Sequence, residues 1–198
     1  MRLNIKKYKE SLTNLDKRVI IIGKNHNLDK YMPLSFNDDD IVVCVNDIIN
    51  FVDRCDWWVI NHNIVSWLTD KGRNNVNKIF MPEFTREARV WWDGITHEEV
   101  LRDLNKDVDF IVYNGFWPPD PVLENLFYPG VVITVGDTAL AFMLELGYRN
   151  IEFYGIGISQ KYAEGIDGKE TPQNQLIESI KGIIRRCDEV GGQYKFNL

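Results

Sequence analysis

Cysteine is scarce in this chain, and the three that occur, Cys44, Cys55 and Cys187, are isolated from one another. They form no Cys-x-x-Cys pair and no other spacing typical of a zinc site. Isolated cysteines of this kind usually pack as small apolar side chains in the core. The sequence therefore predicts three buried, reduced thiols, and it predicts neither a disulfide framework nor a cysteine-bound metal.

Long apolar runs and an excess of positive charge are also missing. No run approaches the roughly 20 apolar residues that a membrane-spanning helix needs, and residues 1–17 lack the apolar core of a signal peptide. These two absences predict a cytoplasmic protein without a membrane span. The formal net charge of −6 argues against a broad electropositive surface for nucleic acid, so a nucleic-acid partner is not expected.

Short β-branched runs alternate with helical or polar segments along the 198 residues, which is typical of βαβ units and a parallel sheet. We expect a single α/β domain over residues 18–198, with a mainly parallel sheet flanked by helices. An N-terminal arm or helix over residues 1–17 precedes it. The predicted strands are residues 18–23, 41–45, 56–60, 78–81, 110–113, 131–133, 151–154 and 193–196.

The most informative stretch is VVITVGDTALAFMLELGYRNIEFYGIGIS, residues 131–159. A turn is predicted at residues 134–136, where Gly136 can adopt the positive φ that turns need. A buried helix is predicted over residues 137–146, and Gly147 is a natural helix stop. Gly155 and Gly157 open a loop after the next strand. Because ligands of open parallel sheets bind at the carboxyl ends of strands, these turns are candidate ligand loops.

Four further turn residues follow predicted strands, namely Gly23, Asn25, Asn46 and Asn61. Glycine and asparagine are favoured in turns for purely structural reasons, so none of them indicates a ligand by itself. An asparagine amide can both donate and accept hydrogen bonds, which suits a base, ribose or phosphate. The N-terminus of the helix at residues 137–146 can also face a phosphate.

The order of these motifs resembles the sialyltransferase-like glycosyltransferases of bacterial surface glycans. It is also similar to a related uncharacterised family that includes archaeal pterin pyrophosphokinases. The sialyltransferases have Thr-Ser-Gly where this chain has Thr134-Val135-Gly136, and Gly-Ile-Asp where it has Gly155-Ile156-Gly157. The serine and the aspartate are both replaced.

The resemblance implies a Rossmann-like, nucleotide-binding fold and a metal-independent transfer of sugar from a nucleotide sugar to a glycan or other hydroxyl acceptor. The donor would be CMP- or UDP-linked, and no cofactor would be tightly bound. A homo-oligomer is compatible with the sequence. The implied nucleotide-binding residues are Gly23, Asn25, Asn46, Asn61, Thr134, Val135, Gly136, Gly155 and Gly157.

The general base is not supplied by the resemblance, because the family's lid histidine has no counterpart in residues 157–170. The chain's candidates are His62 and His26, which lie in predicted site loops where an imidazole can act near neutral pH. Tyr162 is the third candidate, in the shortened lid, with Glu164 and Asp167 as further polar residues there.

The remaining conspicuous residues have structural interpretations. Residues 38–40 form an Asp-Asp-Asp run that precedes a strand, so we expect a solvated turn at the opposite end of the sheet rather than a metal site. Trp57 and Trp58 are expected in the core. Four other aromatics can either stack on a sugar or base, or pack against helices: Trp91, Trp92, Phe116 and Trp117.

Three alternatives to a glycosyltransferase remain open at this point. A diphosphate-transferring kinase would need acidic metal ligands, for which Asp47 and Asp137 are available. A non-catalytic nucleotide-binding module would explain the replaced serine and aspartate and the short lid. A transferase that acts on a modified nucleic-acid base is disfavoured by the acidic charge balance.

Overall fold

The structure is a computed structural model that describes residues 1–60, 63–83, 96–114, 134–157 and 173–197. Its strands are β1 (Arg18–Ile22), β2 (Ile41–Val45), β3 (Trp57–Val59), β4 (Lys78–Glu83), β5 (Asp109–Asn114), β6 (Asn150–Tyr154) and β7 (Gln193–Asn197). Its α-helices are α1 (Ile5–Glu10), α2 (Asp70–Asn75), α3 (His97–Leu104), α4 (Val135–Leu146) and α5 (Gln173–Glu189). Three short 3-10 helices cover His26–Lys30, Asn46–Asn50 and Val65–Trp67.

The described strands form one seven-stranded sheet in the order β5-β4-β3-β2-β1-β6-β7. Every neighbouring pair is parallel. From β1 to β5 the chain moves steadily in one direction, and β6 and β7 then lie on the other side of β1. The predicted α/β class with a parallel sheet is therefore confirmed. The predicted strand at residues 131–133 lies outside the described residues.

Two apolar clusters cover the two faces of the sheet. One contains Trp58, Ile20 and Ile22 together with Leu28 and Ile48 from the connections between β1 and β3. The other contains the apolar side chains of α4 and Ile183 of α5, packed on the opposite faces of the same strands. Because βαβ crossovers are right-handed, reversing the direction of progression across the sheet moves the helices to the other face.

Aromatic packing centres on Phe142 of α4, which lies over the middle of the sheet. Its ring stacks on Phe80 with centroids 3.9 Å apart and meets Trp57 edge-on at 4.8 Å. Trp57 and Trp58 are 2% and 0% exposed, as predicted. Cys44, Cys55 and Cys187 are free and buried, which confirms the prediction of reduced core thiols.

The first residues of the chain are part of the sheet architecture. Arg2 forms a parallel bridge with Phe110 of β5, and the amide of Leu3 donates to the Phe110 carbonyl at 2.7 Å. The α1 helix then brings Tyr8 against the Trp57 ring. No helix in the described part of the chain is both long and apolar enough to cross a membrane.

Candidate functional site

The point where the chain changes direction across the sheet lies between β1 and β6. These two strands are adjacent and parallel, with Ile22 opposite Tyr154 at their carboxyl ends. The connection that leaves β1 runs towards β2, whereas β6 continues to β7 on the other side. In open α/β sheets such a switch point leaves a crevice outside the carboxyl ends of the strands, and ligands bind there. The candidate site is therefore centred on the turns that follow β1 and β6.

Glycine is required in both of these turns because their backbones touch. The amide of Asn25 donates to the Gly155 carbonyl at 2.8 Å. Gly155 has φ +60°, and a Cβ there would collide with the carbonyl of Gly23. A Cβ on Gly23 would in turn collide with Ile156. Close packing of the two turns thus explains both glycines without any ligand.

The N-terminus of α4 reaches the same place. A Cβ on Gly136 would lie 3.0 Å from Ile156 Cδ1, the atom that also fills the space beside Gly23. Gly136 belongs to the first turn of α4, so the predicted turn at residues 134–136 is wrong: the helix begins two residues earlier than expected. Gly136 does not have positive φ in the structure. Thr134 is instead the N-cap, and it forms a capping box with Asp137.

The capping box is tied to the last helix by a buried polar cluster. Asp137 Oδ2 accepts from the Thr134 amide at 2.9 Å and from the Ser179 hydroxyl at 2.7 Å. The guanidinium of Arg186 lies 4.0 Å from Asp137 Oδ1, and the two side chains are 1% and 0% exposed. Burial raises the pKa of Asp137, although the bonds from Ser179 and Thr134 and the charge of Arg186 oppose that shift.

A second polar group occupies the end of β2. Asn46 has φ 55°, a left-handed conformation that asparagine tolerates better than most residues. Its carbonyl accepts from the indole nitrogen of Trp58 at 2.7 Å. The next residue, Asp47, lies 3.1 Å from the ammonium group of Lys24 in the β1 turn. This ion pair connects the two turns, and both side chains are largely buried.

The structure thus brings together five of the predicted site residues around the turns after β1 and β6 and the start of α4: Gly23, Asn25, Thr134, Gly136 and Gly155. Asn46 is joined to them through the neighbouring Asp47–Lys24 pair. Val135 and Gly157 are also at this end of the sheet, but both are buried and neither offers a polar side chain.

The predicted base residues are not placed by the described part of the chain. Asn61, His62 and Tyr162 lie outside it, as do Glu164 and Asp167. His26 begins the 3-10 helix after β1, at the candidate site, but its side chain is not described. The aromatics Trp91, Trp92, Phe116 and Trp117 also lie outside the described residues.

The acidic run before β2 is only partly the solvated turn that we expect from the sequence. Asp38 and Asp39 are exposed, but Asp40 is 4% exposed. Its carboxylate accepts from Arg18 Nε at 3.0 Å and from the Asn37 amide at 2.7 Å. The run does lie at the amino end of β2, opposite the candidate site. No group of three or more metal-ligating side chains occurs among the described residues.

Three residues of the candidate site are not evident from local patterns. Lys24 and Asp47 pair across two different turns, so no short motif reveals them. Ser179 bonds to Asp137 across 42 positions of sequence. The start of α4 has a local signal, because Thr134 and Asp137 have the spacing of a capping box. The β-branched Val135 and the glycine that follows it conceal this signal, since neither favours a helix.

The architecture defines a class: an α/β fold whose parallel sheet has a switch point between β1 and β6, the place where ligands of such folds bind. Comparison with known proteins refines this statement. No protein-family description and no curated protein sequence matches the chain. Solved structures do match, although their sequence identities of 15–18% establish similarity of fold alone.

The matching structures include glycosyltransferases. The MAf glycosyltransferase from Magnetospirillum magneticum AMB-1 superposes with a TM-score of 0.60 at 16% identity over 90% of this chain, which spans only 31% of that protein. The sialyltransferase CstII from Campylobacter jejuni, in complex with a substrate analogue, gives 0.56 at 18% identity over 93% of this chain and 81% of that one. The α-2,3-sialyltransferase Cst-I from the same organism gives 0.57 at 17% identity, with 93% and 77% coverage.

The chain therefore has a sialyltransferase-like glycosyltransferase fold. The first part of the predicted resemblance is confirmed at the level of fold. The link to pterin pyrophosphokinases is not among these similarities.

Proposed function

We propose that this protein is a glycosyltransferase that transfers a sugar from a nucleotide sugar to a hydroxyl acceptor without a metal ion. One observation carries the proposal. The turns of Gly23 and Gly155 and the N-terminus of α4 meet at the switch point of the sheet, in a fold shared with sialyltransferases over nine-tenths of the chain. Helix N-termini and glycine turns at such crevices are favourable places for a nucleotide phosphate.

The proposed donor is CMP- or UDP-linked. One matching structure of CstII contains CMP and a trisaccharide acceptor, with a TM-score of 0.58. In this chain Asn25, Asn46 and Asn61 would contact the nucleotide, together with the turn glycines and the start of α4. The general base would be His62, His26 or Tyr162, each of which can take a proton from an acceptor hydroxyl.

A non-catalytic nucleotide-binding module is the second candidate, and one observation favours it. Val135 and Gly157 replace the serine and aspartate of the sialyltransferase motifs, and both are buried without a polar side chain. The diphosphate-transferring kinase is less well supported. Asp137 is 0% exposed and committed to the α4 cap, whereas Asp47 is paired with Lys24. Neither carboxylate is therefore exposed and free of other partners, as a ligand for a catalytic metal ion would need to be.

Thermal unfolding in the presence of nucleotides tests the proposal. CMP, UDP, GDP and ATP with magnesium are each added at about 100 times the dissociation constant, which stabilises a binding protein by about 2.7 kcal/mol. For a chain of this length that corresponds to a rise in Tm of roughly 5–10 °C. A rise with CMP or UDP, followed by sugar transfer from the matching donor, supports the proposal. Binding without transfer supports the module, and the absence of a shift with every nucleotide contradicts both.

A matched pair of variants locates the binding site. Asn25→Ala removes a side chain at the β1 turn, whereas Asn74→Ala removes an exposed side chain of α2. We expect the first variant to reduce the nucleotide-induced rise in Tm and the second to leave it unchanged. An equal response of the two variants would place the nucleotide elsewhere.

A further inference from the structure

The two edges of the sheet differ in how they are covered. At the β5 edge, Arg2 forms a parallel bridge with Phe110, and the Leu3 amide donates to the Phe110 carbonyl at 2.7 Å. At the other edge, β7 pairs with β6 alone among the strands that the structure describes, and residues 193–195 are exposed. An edge strand carries a row of backbone N–H and C=O groups that can pair with another strand. The β7 edge is therefore where the sheet can be extended.

The α5 helix presents isoleucines on the side that faces this edge. The helix lies beside α4, to which Ser179 is bonded through Asp137, and it also contacts β7. At 3.6 residues per turn, Ile177 and Ile184 lie about 140–160° around the helix from Ser179, so they point away from α4. In turn, α4 contacts β1, β2 and β3, which lie on the side of the sheet away from β7. The two isoleucines are therefore directed towards the β7 edge.

These side chains are more exposed than a core face requires. Ile177 and Tyr194 are each 36% exposed, and Ile184 is partly exposed. None of the three belongs to the apolar cluster that α4 and α5 form on the sheet. Tyr194 lies next to α5, because its hydroxyl has Asp188 as a hydrogen-bonding neighbour, and Asp188 is one turn after Ile184. The edge surface consists of these three apolar side chains and the open edge of β7, and apolar groups clustered in this way indicate an interaction surface.

The charges beside the edge surface favour a second copy of the same chain. The exposed ionic side chains of α5 and β7 are equally divided between cations and carboxylates, so they carry no net charge although the chain carries −6. They are Lys181, Arg185 and Lys195, and Glu178, Asp188 and Glu189. Two copies can therefore approach here without the repulsion that their overall charge causes elsewhere.

Two-fold symmetry makes these charges complementary. Oligomers of one chain usually have two-fold axes, and an axis normal to the sheet makes the β7 strands and the α5 helices of two copies antiparallel. An α5 pair centred between Ile184 and Arg185 sets Lys181 opposite Asp188 of the second copy, and the symmetry repeats this pair. The Lys181–Glu178 ion pair within α5 is exposed, so it competes only weakly.

The side chains of β7 are compatible with the same symmetry. Phe196 stacks on Phe153 with centroids 4.7 Å apart, and Tyr194 meets Phe196 edge-on at 6.1 Å, so both rings lie on the α5 face of the sheet. An antiparallel β7 strand of a second copy extends this aromatic row. Lys195 points to the opposite face, 4.0 Å from Glu152, and that carboxylate offsets its charge where two copies meet.

We propose that the edge surface is the interface of a two-fold symmetric homodimer, in which two β7 strands pair antiparallel and Lys181 of each copy forms an ion pair with Asp188 of the other. The two seven-stranded sheets then form one continuous sheet. Because the strands of the second copy run in the opposite direction, the two candidate sites lie at opposite ends of the dimer. This inference does not depend on the proposed function.

Charge reversal tests the interface. Analytical ultracentrifugation over a range of protein concentrations gives the dimer dissociation constant, and we expect the wild type to dimerise. Lys181→Asp and Asp188→Lys should each raise this constant by about 10–100-fold, because each sets like charges opposite one another in two symmetric places. The double variant Lys181→Asp/Asp188→Lys should return it to within about tenfold of the wild type, since the opposite charges have only been exchanged. Residues that do not face each other across an interface cannot show this rescue.

A matched control and a second measurement complete the test. Lys71→Asp reverses an exposed lysine of α2 that is paired with Asp53, and it should leave the dissociation constant unchanged. Hydrogen exchange of the wild type is independent of any variant: exchange in β7 should slow as the protein concentration rises, because its outer amides become bonded. A monomeric wild type, a double variant without rescue, or exchange in β7 that does not depend on concentration would each overturn the inference.

Discussion

The hydroxyl of Ser179 donates to Asp137 Oδ2 at 2.7 Å and joins the last helix to the first turn of α4. The same hydroxyl lies 2.9 Å from Thr134 Oγ1, the N-cap of α4. Both Ser179 and Asp137 are buried, so water cannot replace either bond. The position of the α4 N-terminus at the candidate site therefore depends on α5 as well as on its own cap.

Replacing Ser179 by alanine tests this dependence. The variant Ser179→Ala removes a hydrogen bond to a buried carboxylate, so we expect a loss of about 1–3 kcal/mol in the free energy of unfolding. Urea denaturation measures this loss. Ser66→Ala, at an exposed position in the Val65–Trp67 3-10 helix, is the control and should change stability by no more than about 0.5 kcal/mol. Similar midpoints for both variants would contradict the role of Ser179.

Because the pKa of Asp137 is raised in the folded protein, this residue should make the free energy of unfolding depend on pH. Burial is the main cause of the shift. Between about pH 3.9, the ordinary pKa of aspartate, and the higher pKa of the folded state, the folded protein keeps a proton that the unfolded chain has lost. Stability therefore falls as the pH rises through this interval.

The variant Asp137→Asn isolates that contribution, because asparagine does not titrate and keeps an oxygen that can accept the cap hydrogen bond. We expect the stability of the wild type relative to this variant to decline as the pH rises from about 4 and then to become constant. Denaturation curves at closely spaced pH values measure the difference. A difference that increases with pH would show that burial does not dominate the environment of Asp137.

Asp40 should show the opposite pH dependence. Its hydrogen bond from Arg18 is the main cause of a lowered pKa, so its stabilising contribution is present above about pH 3.9 and is lost as the pH falls through the lower pKa of the folded state. We expect Asp40→Asn to cost about 1–3 kcal/mol at pH 7 and progressively less in acid. Asp39→Asn is the control, since the Asp39 side chain is 92% exposed. If Asp40→Asn lowers the free energy of unfolding by the same amount at pH 7 and in acid, the prediction is contradicted.

His62 is the candidate base whose removal distinguishes catalysis from binding. If His62 takes the proton of the acceptor hydroxyl, His62→Gln should lower the transfer rate by roughly 10²–10⁴-fold and leave nucleotide affinity nearly unchanged. Steady-state kinetics and calorimetry measure the two effects separately. His97→Gln should retain the rate. His97 lies in α3 and stacks on Phe110 of β5, the edge strand farthest along the sheet from β1 on that side. Equal losses of affinity and rate would make His62 a binding residue, and an unchanged rate would leave His26 and Tyr162 as candidates.

Much of the sheet could be predicted from the sequence because its strands are continuous apolar runs. The bounds of β2 match the prediction, and β1 and β6 each differ from it by one residue. The capping box of Thr96 and Glu99 at the start of α3 has a local signal of the same kind, because its two residues are only three positions apart. Patterns of this kind depend on neighbouring residues, which a single sequence displays directly.

The unpredicted features depend on contacts between residues that are distant along the chain. Asp40 belongs to an acidic run that is typical of a solvated turn, but Arg18 at the start of β1 makes it a buried acceptor. The pairing of Lys24 with Asp47 likewise arises only because β1 and β2 are adjacent. Register between strands and the reach of long side chains decide such contacts, and neither quantity is encoded in a local motif.

Two glycines with positive φ provide the last prediction. Gly155 has φ +60° and Gly191 has φ +65°, so alanine at either position costs about 1–2 kcal/mol in backbone strain. Only Gly155 has a neighbour in the way, because its Cβ would collide with the carbonyl of Gly23, whereas nothing lies within 4 Å of a Cβ at Gly191.

We therefore expect Gly191→Ala to show the strain alone and to keep its nucleotide affinity. Gly155→Ala should be destabilised by more than Gly191→Ala, because the β1 and β6 turns must separate. If the protein binds nucleotide at these turns, Gly155→Ala should also bind it more weakly. Urea denaturation and calorimetric titration of the two variants measure these differences. Equal stability and equal affinity would show that the contact between Gly23 and Gly155 can relax without cost, and that nucleotide binding does not depend on it.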